Sequence, residues 1–414
     1  MKLGIDFGTT NSAIAVLGAD GRARPLELVP GERTQRTVIH GSPDGVVTMG
    51  NAAFRAYQAH DLEGRFLRSI KAFLPHDVPK TTLCGKRLAF TEVVSSYLVF
   101  LREAAERLVD GPITEVTVGR PVSFHADPRK HAAAVERLEQ AVRDAGFDTF
   151  HLQLEPVAAA HAYEATLDRE RIVLVGDFGG GTSDFAVLRV GPDRVGRTDR
   201  DKDVLATSGV AKAGDVLDGR FLDVFLLDAL GRGCRITPRY GTEAVPWEHS
   251  VLRGVQRLFD LHLLRTEELA EALDYVESHV DDPVPIRRLR TLVFEDLGYP
   301  MAWSIESTKR QLSERDPAPF RFDDFGNPSL NLERDVGLGA FADGCEAVLG
   351  EYGDAIGQVL AGAGLDEQGI DDVFLTGGTA QLPFVRGVFQ DRFGADKLRS
   401  ADAFTSVCEG LALS

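Results

Sequence analysis

Two segments of the sequence combine glycines, hydroxyl side chains and one aspartate in an order that suits phosphate binding. In residues 3–17 an apolar stretch reaches Asp6, passes through a polar turn and continues as a second apolar stretch. Residues 172–188 repeat this order around Asp177. Each segment therefore predicts a β-hairpin with a polar tip. The tips contain Gly8, Thr9, Thr10 and Asn11 in the first hairpin and Gly179, Gly180, Gly181 and Thr182 in the second.

The residue types at these tips indicate what they bind. Glycines let backbone N–H groups approach a phosphate closely, and threonine hydroxyls add further donors. Asp6 and Asp177 would repel a bare phosphate, but they fit the pattern if Mg²⁺ lies between them and the phosphates, held through its retained waters. The hypothesis is a Mg²⁺–phosphate site, and two ordinary glycine-containing turns are the alternative.

The two segments match each other residue by residue. When residues 6–17 are set on 177–188 without gaps, seven of the twelve positions are identical. An internal repeat of this kind predicts two lobes of related topology, each presenting a hairpin toward a shared cleft. The sequence contains neither a Gly-x-x-x-x-Gly-Lys-Ser/Thr loop nor a Gly-x-Gly-x-x-Gly that opens a helix, so the phosphate site is predicted from two hairpins.

The elements that must position these hairpins alternate between strand and helix. Apolar spacing predicts a helix over 91–109, a strand over 113–118, a helix over about 128–145 and a buried strand over 372–376. The second helix has an aspartate cap, a proline at its first position and a buried stripe that includes Val135. Strands alternating with helices in each half indicate the α/β class.

Other segments are less informative about chemistry. Glu155 precedes a helix that Pro156 starts; the carboxylate either reaches a water at the site or simply favours the helix dipole. Residues 191–203 are polar and predict a surface turn, and 235–300 predict a helix-rich peripheral subdomain. Residues 314–335 contain three prolines and predict loop with at most short strands.

Composition limits the classes of function. The 414 residues carry 46 basic and 63 acidic side chains, a net charge of −17, which argues against a general affinity for nucleic acid or anionic membrane. The four cysteines form no Cys-x-x-Cys pair, which argues against structural zinc and suits a reducing compartment. Without an apolar run of about 18 residues or a signal-peptide pattern, the sequence predicts a cytoplasmic protein.

Four motifs occur in a diagnostic order: Asp-Phe-Gly-Thr-Thr-Asn-Ser, Gly-Asp-Phe-Gly-Gly-Gly-Thr-Ser-Asp, Leu-Glu-Pro-Val-Ala-Ala-Ala and Leu-Thr-Gly-Gly-Thr-Ala-Gln-Leu-Pro. In this order the chain resembles the ATPase domain of the heat shock protein 70 family (DnaK-type), within the actin, hexokinase and heat-shock superfamily. The resemblance extends from Leu3 to Leu411. Within the family the chain looks most similar to the short YegD-like members, and the motif Gly-Arg-Pro-Val-Ser-Phe at 119–124 supports this assignment.

The resemblance implies an actin-like ATPase fold with ribonuclease H-like duplicated domains and two lobes around a nucleotide cleft. Lobe I would be 1–166 with the C-terminal 396–414, and its subdomain IB about 37–95. Lobe II would be 167–395, with subdomain IIB about 214–313.

The resemblance also implies roles for individual residues, with ATP or ADP and Mg²⁺ as cofactors. The catalytic residues would be Lys71, Glu155, Asp177, Thr182 and Asp184, with Asp6 and Asp177 holding Mg²⁺ through waters. Nucleotide would be bound by the two hairpin tips and by Gly214, Asp215, Glu306, Lys309, Arg310, Ser313, Gly377, Gly378, Thr379 and Gln381. Without the resemblance, the local sequence of Lys71 predicts an ordinary surface lysine. A solvated helix face would show the same charged stripe as the residues from Glu306 to Ser313, so that alternative stays open.

Some positions depart from the family pattern. Gln381 stands where the family has an arginine that stacks on adenine, and Phe404 and Val216 stand at family aspartates. Pro121 and Arg129 occupy the positions of the relay that links nucleotide state to a peptide-binding domain. The sequence stops at Ser414 without the family's interdomain linker, so the expectation is a protein that lacks a peptide-binding domain.

These observations predict a chaperone-like protein that binds ATP, hydrolyses it slowly and closes its lobes in response to nucleotide. Its partner would be an unknown client or co-chaperone, with no nucleic acid and no membrane. The alternatives are a nucleotide-binding pseudo-enzyme scaffold, a small-molecule kinase and an actin-like filament protein. A kinase would need a base aimed at an acceptor hydroxyl, for which the sequence shows no clear sugar-kinase signature.

Overall fold

The computed structural model describes residues 1–77, 80–147, 149–195, 197, 200–247, 250–323, 330–400 and 405–414. These residues form two compact units, residues 1–214 with 350–414 and residues 215–349. Phe404, one of the departures from the family pattern, lies outside the described residues. The predicted lobe boundaries at 166 and 395 stay a prediction.

The elements alternate as the α/β class requires. The strands are β1 Lys2–Phe7, β2 Asn11–Leu17, β3 Ala23–Pro25, β4 Gln35–Arg36, β5 Val38–Gly41, β6 Val47–Met49, β7 Arg65–Arg68, β8 Thr81–Leu83, β9 Lys86–Leu88, β10 Glu115–Arg120, β11 Thr149–Leu154, β12 Arg171–Phe178, β13 Ser183–Val190, β14 Val204–Val210, β15 Arg235–Ile236, β16 Val245–Pro246, β17 Ala318–Phe322, β18 Leu332–Val336, β19 Asp372–Thr376 and β20 Leu398–Ser400. The helices are α1 Asn51–Ala59, α2 Phe90–Val109, α3 Pro128–Asp144, α4 Glu155–Glu164, α5 Gly214–Phe225, α6 Val251–Gly254, α7 Glu267–Glu277, α8 Val284–Phe294, α9 Gly298–Leu312, α10 Leu338–Ala363, α11 Pro383–Phe393 and α12 Ser406–Leu413.

The two matching sequence segments lie in two sheets of the same topology. The first large sheet has the strand order β11-β10-β1-β2-β3, and the second has β14-β13-β12-β19-β20. In both sheets the hairpin strands pair antiparallel with each other and with the next strand, and the remaining neighbours are parallel. Both predicted hairpins are therefore confirmed, and each occupies the same place in its sheet.

Local sequence explains where the predicted helices begin and end. Asp127 caps α3 by accepting a hydrogen bond from the backbone N–H of Arg129, with Pro128 at the first helical position. Gly146 follows the helix with φ of +81°, a conformation that glycine adopts without strain. One detail of the buried stripe is wrong, because Ala134 rather than Val135 faces the core.

Two short helices join the large sheets within the first unit. Helix α12 packs against α4 and against strands β1, β2 and β10 of the first sheet, while α4 contacts β12 and β13 of the second sheet. The approach is close: a Cβ on Gly410 would lie 1.7 Å from the carbonyl oxygen of Ala158. On the other side of α12, a Cβ on Gly4 would lie 2.3 Å from the carbonyl oxygen of Cys408.

The described residues of 191–203 form turns with exposed residues such as Asp193 and Arg197, as predicted, but the segment also contains buried ion pairs. Two 3₁₀ turns there carry Arg194 and Asp203, whose side chains pair with each other in a largely buried position. Arg200 also donates to Asp203 at 2.6 Å. Its two terminal nitrogens each donate to one carboxylate oxygen of the buried Glu164 on α4, both at 2.9 Å. The segment therefore anchors α4 through ion pairs. Its polar composition had suggested that these charged side chains would be exposed to solvent.

The second unit carries the helix-rich segment predicted over 235–300, as helices α6 to α9 with the small β15–β16 ribbon. Strands β17 and β18 form a separate two-stranded ribbon, in line with the short strands allowed for 314–335. In the core of this unit the ring of Phe221 packs against those of Phe320 and Phe341, with centroid distances of 5.5 and 5.4 Å.

Helix α4 also contains a titratable group that makes stability depend on pH. Burial lowers the pKa of His161 to about 4, with Arg200 adding to the effect and Asp203 opposing it. The unfolded imidazole takes up a proton near pH 6.5, so the contribution of His161 to the unfolding free energy falls by about 3 kcal/mol as pH falls from 6.5 toward 4. Urea unfolding at pH 7.5 and pH 5, in the wild type and in a variant without this histidine, separates this contribution from those of other titrating groups.

His161→Gln is the variant that tests this assignment. Between pH 7.5 and pH 5 the unfolding free energy should change by about 2 kcal/mol more favourably in His161→Gln than in the wild type, whereas replacement of the exposed His151 should leave the wild-type change unaltered. An identical pH dependence in wild type and His161→Gln would show that another group is responsible.

Among the described residues, no helix combines the length and the apolar character needed to cross a membrane.

Candidate nucleotide site

The tips of the two glycine hairpins meet. A Cβ on Gly181 would lie 3.3 Å from the Thr9 hydroxyl oxygen, which brings the second tip against the first. Within the first tip, a Cβ on Gly8 would lie 2.2 Å from the carbonyl oxygen of Asn11, so only glycine fits this turn. In the second tip, the Gly179 N–H donates to the Thr182 carbonyl oxygen at 3.0 Å. The repeat thus places two backbone turns side by side.

A buried ion pair lies at the base of these tips. Lys71 Nζ donates to Glu155 Oε1 at 2.5 Å, and both residues are about 5% exposed. The ammonium group also lies about 6 Å from the ring centres of Phe7 and Phe124. Lys71 is therefore not the surface lysine that its local sequence suggests. Glu155 is the first residue of α4, and its side chain contacts a lysine from a separate 3₁₀ turn.

Burial raises the pKa values of three aspartates around this ion pair. The pKa of Asp6 rises to about 7, chiefly through burial and then through repulsion by Glu155, with Lys71 opposing. The pKa of Asp177 rises well above its usual value through burial and through repulsion by Glu155, Asp6 and Asp184. The strands β1 and β12 place these two carboxyls at equivalent positions, because both precede a glycine tip.

Asp184 completes the group of carboxyls. Its pKa rises to about 7 through burial and repulsion by Glu155, although hydrogen bonds from Thr182 and Val122 lower it. The Val122 backbone N–H donates to Asp184 Oδ1 at 2.9 Å, so the carboxylate is held from a loop after β10. Four acidic groups around one lysine make a site with surplus buried negative charge, which favours an added cation.

These residues fit a magnesium ion that keeps its waters. Among the described residues, no group of three or more histidine, cysteine or carboxylate side chains is arranged to ligate a metal directly. Mg²⁺ commonly uses one or two carboxylates together with waters and substrate phosphates. Asp6 and Asp177 supply such a pair, and the burial and repulsion that raise their pKa values are effects that a bound cation would offset.

A third turn lies against the second hairpin. Gly377 has φ of +87°, and a Cβ there would lie 2.1 Å from the carbonyl oxygen of Phe178, so the position requires glycine. The Gly214 N–H donates a hydrogen bond to the Gly179 carbonyl oxygen at 3.3 Å. A Cβ on Gly214 would lie 3.2 Å from the Thr379 hydroxyl oxygen. The predicted residues Gly214, Gly377 and Thr379 therefore gather at the second hairpin, with Gly378 and the half-buried Gln381 in the same 3₁₀ turn.

The predicted adenosine helix lies in the second unit as part of α9. Lys309 is buried and its Nζ donates to Asp218 Oδ1 at 2.6 Å. Burial lowers the pKa of Lys309, but Asp218, Glu306 and Asp215 outweigh burial and raise it overall. The four predicted residues differ in exposure, because Arg310 is exposed, Glu306 is half-buried and Ser313 follows the last turn.

Sequence reasoning missed several residues at these sites. Asp218 holds Lys309, and nothing in its local pattern distinguishes it from other helical acids. Arg120 is attracted to Glu155 and Asp184, while burial lowers its pKa. Its place at the end of β10, directly before Pro121, is the signal that could have identified it. Of the proposed relay residues, Pro121 is buried and Arg129 is exposed.

A duplicated five-strand order, with two glycine turns meeting over buried carboxylates, defines an α/β protein of the actin-like ATPase fold. The family model described as Hsp70 protein matches residues 2–230 and 301–414. The chain belongs to the Hsp70 family, as its sequence motifs had indicated. Its assignment to the YegD-like subgroup stays a prediction.

Similar proteins include chaperones from bacteria and archaea. "Chaperone protein DnaK" of Thermosipho melanesiensis is 26% identical over 416 residues, which cover 99% of this chain and 58% of the relative. "Chaperone protein DnaK" of Halobacterium salinarum is 26% identical over 424 residues, which cover 99% of this chain and 55% of the relative. The chain thus spans a little over half the length of these relatives.

Proposed function

We propose that this protein binds ATP and ADP with Mg²⁺ and hydrolyses ATP slowly, as a chaperone-like ATPase. The observation that carries the proposal is the buried Lys71–Glu155 pair, which lies among Asp6, Asp177 and Asp184 where the two glycine tips meet. Membership of the Hsp70 family supports it, because the relatives matched over the whole chain are named as chaperones.

The roles follow from charge and position. The tips around Gly8 and Gly180 bind the phosphates through backbone N–H groups. Asp6 and Asp177 would hold Mg²⁺ through waters, and the bound ion would neutralise charge on the phosphates. In the hydrolysis step a water attacks the γ-phosphorus in line, the bond from this phosphorus to the bridging oxygen breaks, ADP leaves with that oxygen, and the proton lost by the water passes to solvent.

Three residues orient that attack. Lys71 holds the γ-phosphate and the attacking water, because its ammonium group is a buried positive charge among the surrounding carboxyls. Glu155 positions Lys71 and accepts hydrogen bonds from water. The Thr182 hydroxyl, which donates to Asp184 in this structure, would donate to the phosphate instead when nucleotide binds. Asp184 holds the loop after β10 against the site through the Val122 N–H.

Nucleotide would act through closure of the two predicted lobes, and a protein client or co-chaperone would respond to that change. The adenosine part of the nucleotide would be bound by Glu306, Lys309, Arg310 and Ser313 of α9, together with Asp215, Gly378, Thr379 and Gln381. A cytoplasmic location is part of this proposal.

The direct test is single-turnover ATP hydrolysis by the purified protein, with and without Mg²⁺ and with no acceptor added. Slow, Mg²⁺-dependent release of ADP and phosphate supports the proposal. Tight ATP binding without hydrolysis contradicts the ATPase and favours a kinase or a pseudo-enzyme scaffold. A panel of sugars and acids that accelerates ADP release would identify a kinase, and ATP-dependent sedimentation would identify a filament protein.

Nucleotide affinity should depend on the hairpin glycines. Gly180→Ala and Gly378→Ala place a methyl group where phosphate or nucleobase must approach the backbone, so both variants should lose nucleotide binding. Titration with a fluorescent ADP analogue measures this. Gly353→Ala in α10 is the matched control, because a Cβ there meets nothing within 4 Å. Unchanged affinity in both site variants would refute the assignment of these turns.

A further inference from the structure

A pair of histidines outside the nucleotide site joins the small sheet β6-β5-β7 to the end of helix α1. His40 is in the central strand β5, and His60 is the residue that ends α1. Their ring centroids are 5.6 Å apart. Asp44 lies between β5 and β6, with its Oδ1 3.6 Å from His60 Nε2. The proposed ATPase reaction uses none of these three residues.

The tautomer of His40 follows from its surroundings. The residue is fully buried, and its Nε2 lies 2.9 Å from the carbonyl oxygen of Glu63. A carbonyl oxygen only accepts, so Nε2 carries the proton and Nδ1 of the neutral ring carries a lone pair. That Nδ1 atom is buried and has no hydrogen-bond partner. Because buried polar atoms in proteins usually have a partner, this unpaired acceptor is a candidate ligand for a bound ion.

The same argument applies to His60. Its Nδ1 lies 2.7 Å from the carbonyl oxygen of Ala56, so Nδ1 carries the proton and Nε2 carries the lone pair. Histidines that ligate metals usually donate their other ring N–H to a backbone carbonyl or carboxylate, which fixes the ring. Both His40 and His60 have this arrangement, and each lone pair remains available.

The spacing of the rings suits one metal ion. With metal–nitrogen distances of about 2.0 Å and tetrahedral angles, two imidazoles on one zinc have ring centroids about 5 Å apart. The observed separation of 5.6 Å is close to this value. The backbone at Gly64 packs closely against the His40 ring, because a Cβ on Gly64 would lie 2.8 Å from His40 Nε2.

The Asp44 carboxylate is a candidate third ligand, because its Oδ1 lies 3.6 Å from His60 Nε2. Its pKa is lowered by a hydrogen bond from the Ser42 hydroxyl and then by a backbone hydrogen bond, both of which favour the carboxylate form. The described residues contain no group of three ligands already in place, and the Asp44 side chain is 67% exposed. Its carboxylate is therefore able to turn toward the rings when an ion binds.

We propose that His40 Nδ1, His60 Nε2 and the Asp44 carboxylate bind one divalent transition-metal ion of the zinc class, with water as the fourth ligand. Imidazole nitrogen favours zinc, cobalt, nickel and copper over magnesium, so this site differs in chemistry from the one at the hairpin tips. The ion would cross-link β5 to the end of α1 and stabilise the small sheet.

The test is titration of the tag-free, metal-stripped protein with Co²⁺ and Zn²⁺, in excess Mg²⁺ and without nucleotide. One Co²⁺ should bind with the visible absorption of tetrahedral cobalt, and Zn²⁺ should displace it. In His60→Ala and Asp44→Ala the affinity should fall at least about tenfold, the loss that removal of even an outer partner can cause. A long-range ¹H–¹⁵N spectrum should show Zn²⁺ shifting His40 Nδ1 and His60 Nε2.

The chain offers a matched control in His279. Its Nδ1 also lies 2.7 Å from a carbonyl four residues earlier, that of Tyr275, and it too follows a helix. His279→Ala should bind Co²⁺ like the wild type. The proposal is overturned if the wild type binds no ion, or if His60→Ala binds as tightly as the wild type.

Discussion

Lys71→Met is expected to reduce the rate of ATP hydrolysis by about 10²–10³-fold, the usual effect of removing one group that stabilises transition-state charge. The variant keeps most of the apolar stem beside Phe7 and Phe124 but loses the ammonium group that contacts Glu155. Because the glycine tips bind phosphate independently of Lys71, ADP affinity should change much less than the rate. Single-turnover hydrolysis and ADP titration measure the two quantities.

The same variant should also be less stable. Removal of one partner from a buried ion pair commonly costs about 3–5 kcal/mol, because the other charge stays buried and unpaired. The double variant Lys71→Met/Glu155→Gln removes both charges and should recover much of this stability while remaining inactive. Recovery of stability without recovery of hydrolysis separates a catalytic role from a structural one.

Lys212→Met is the control for both readouts. Lys212 Nζ also lies 2.5 Å from a glutamate oxygen, Oε1 of Glu351, but both side chains are about 40% exposed. An exposed pair contributes about 1 kcal/mol or less, so this variant should retain hydrolysis and stability. If Lys71→Met hydrolyses ATP at the rate of Lys212→Met, the assignment of Lys71 is wrong.

Gly410→Ala is expected to destabilise the protein by about 3 kcal/mol or more, because an added methyl group would overlap a backbone atom that cannot rotate away. Its Cβ would lie 1.7 Å from the Ala158 carbonyl oxygen, so α12 and α4 would have to separate. Those helices join the first sheet to the second, so the change should also disturb the meeting of the hairpin tips. Urea unfolding and ADP titration measure these effects.

Gly357→Ala provides the matched glycine control. Gly357 lies inside α10, and a Cβ there meets nothing within 4 Å. Alanine favours a helix by about 1 kcal/mol over glycine, so this variant should be as stable as the wild type or more stable. A Gly410→Ala protein with wild-type stability would show that the helices tolerate a wider spacing than the structure has.

Much of the fold could be predicted from the sequence because it depends on local patterns. Glycine-rich turns between apolar stretches predicted both hairpins, and capping residues predicted the bounds of α3. The repeat predicted related topology, which the matching strand orders confirm. Side-chain pairs far apart in the chain were not predictable: polar residues 191–203 suggested solvent, yet Arg200 pairs with the buried Glu164.

For the site, the sequence by itself determined which groups can bind phosphate and metal, because glycine, threonine and aspartate carry that chemistry in their own atoms. Only the tertiary structure decided how those groups are charged and which of them meet. Lys71 and Glu155 are 84 residues apart, and their contact removes both from water. The raised pKa of Asp6 arises from burial and from Glu155, neither of which its neighbours in sequence reveal. Charge and burial depend on three-dimensional surroundings, so the sequence names the reacting groups and the fold sets their state.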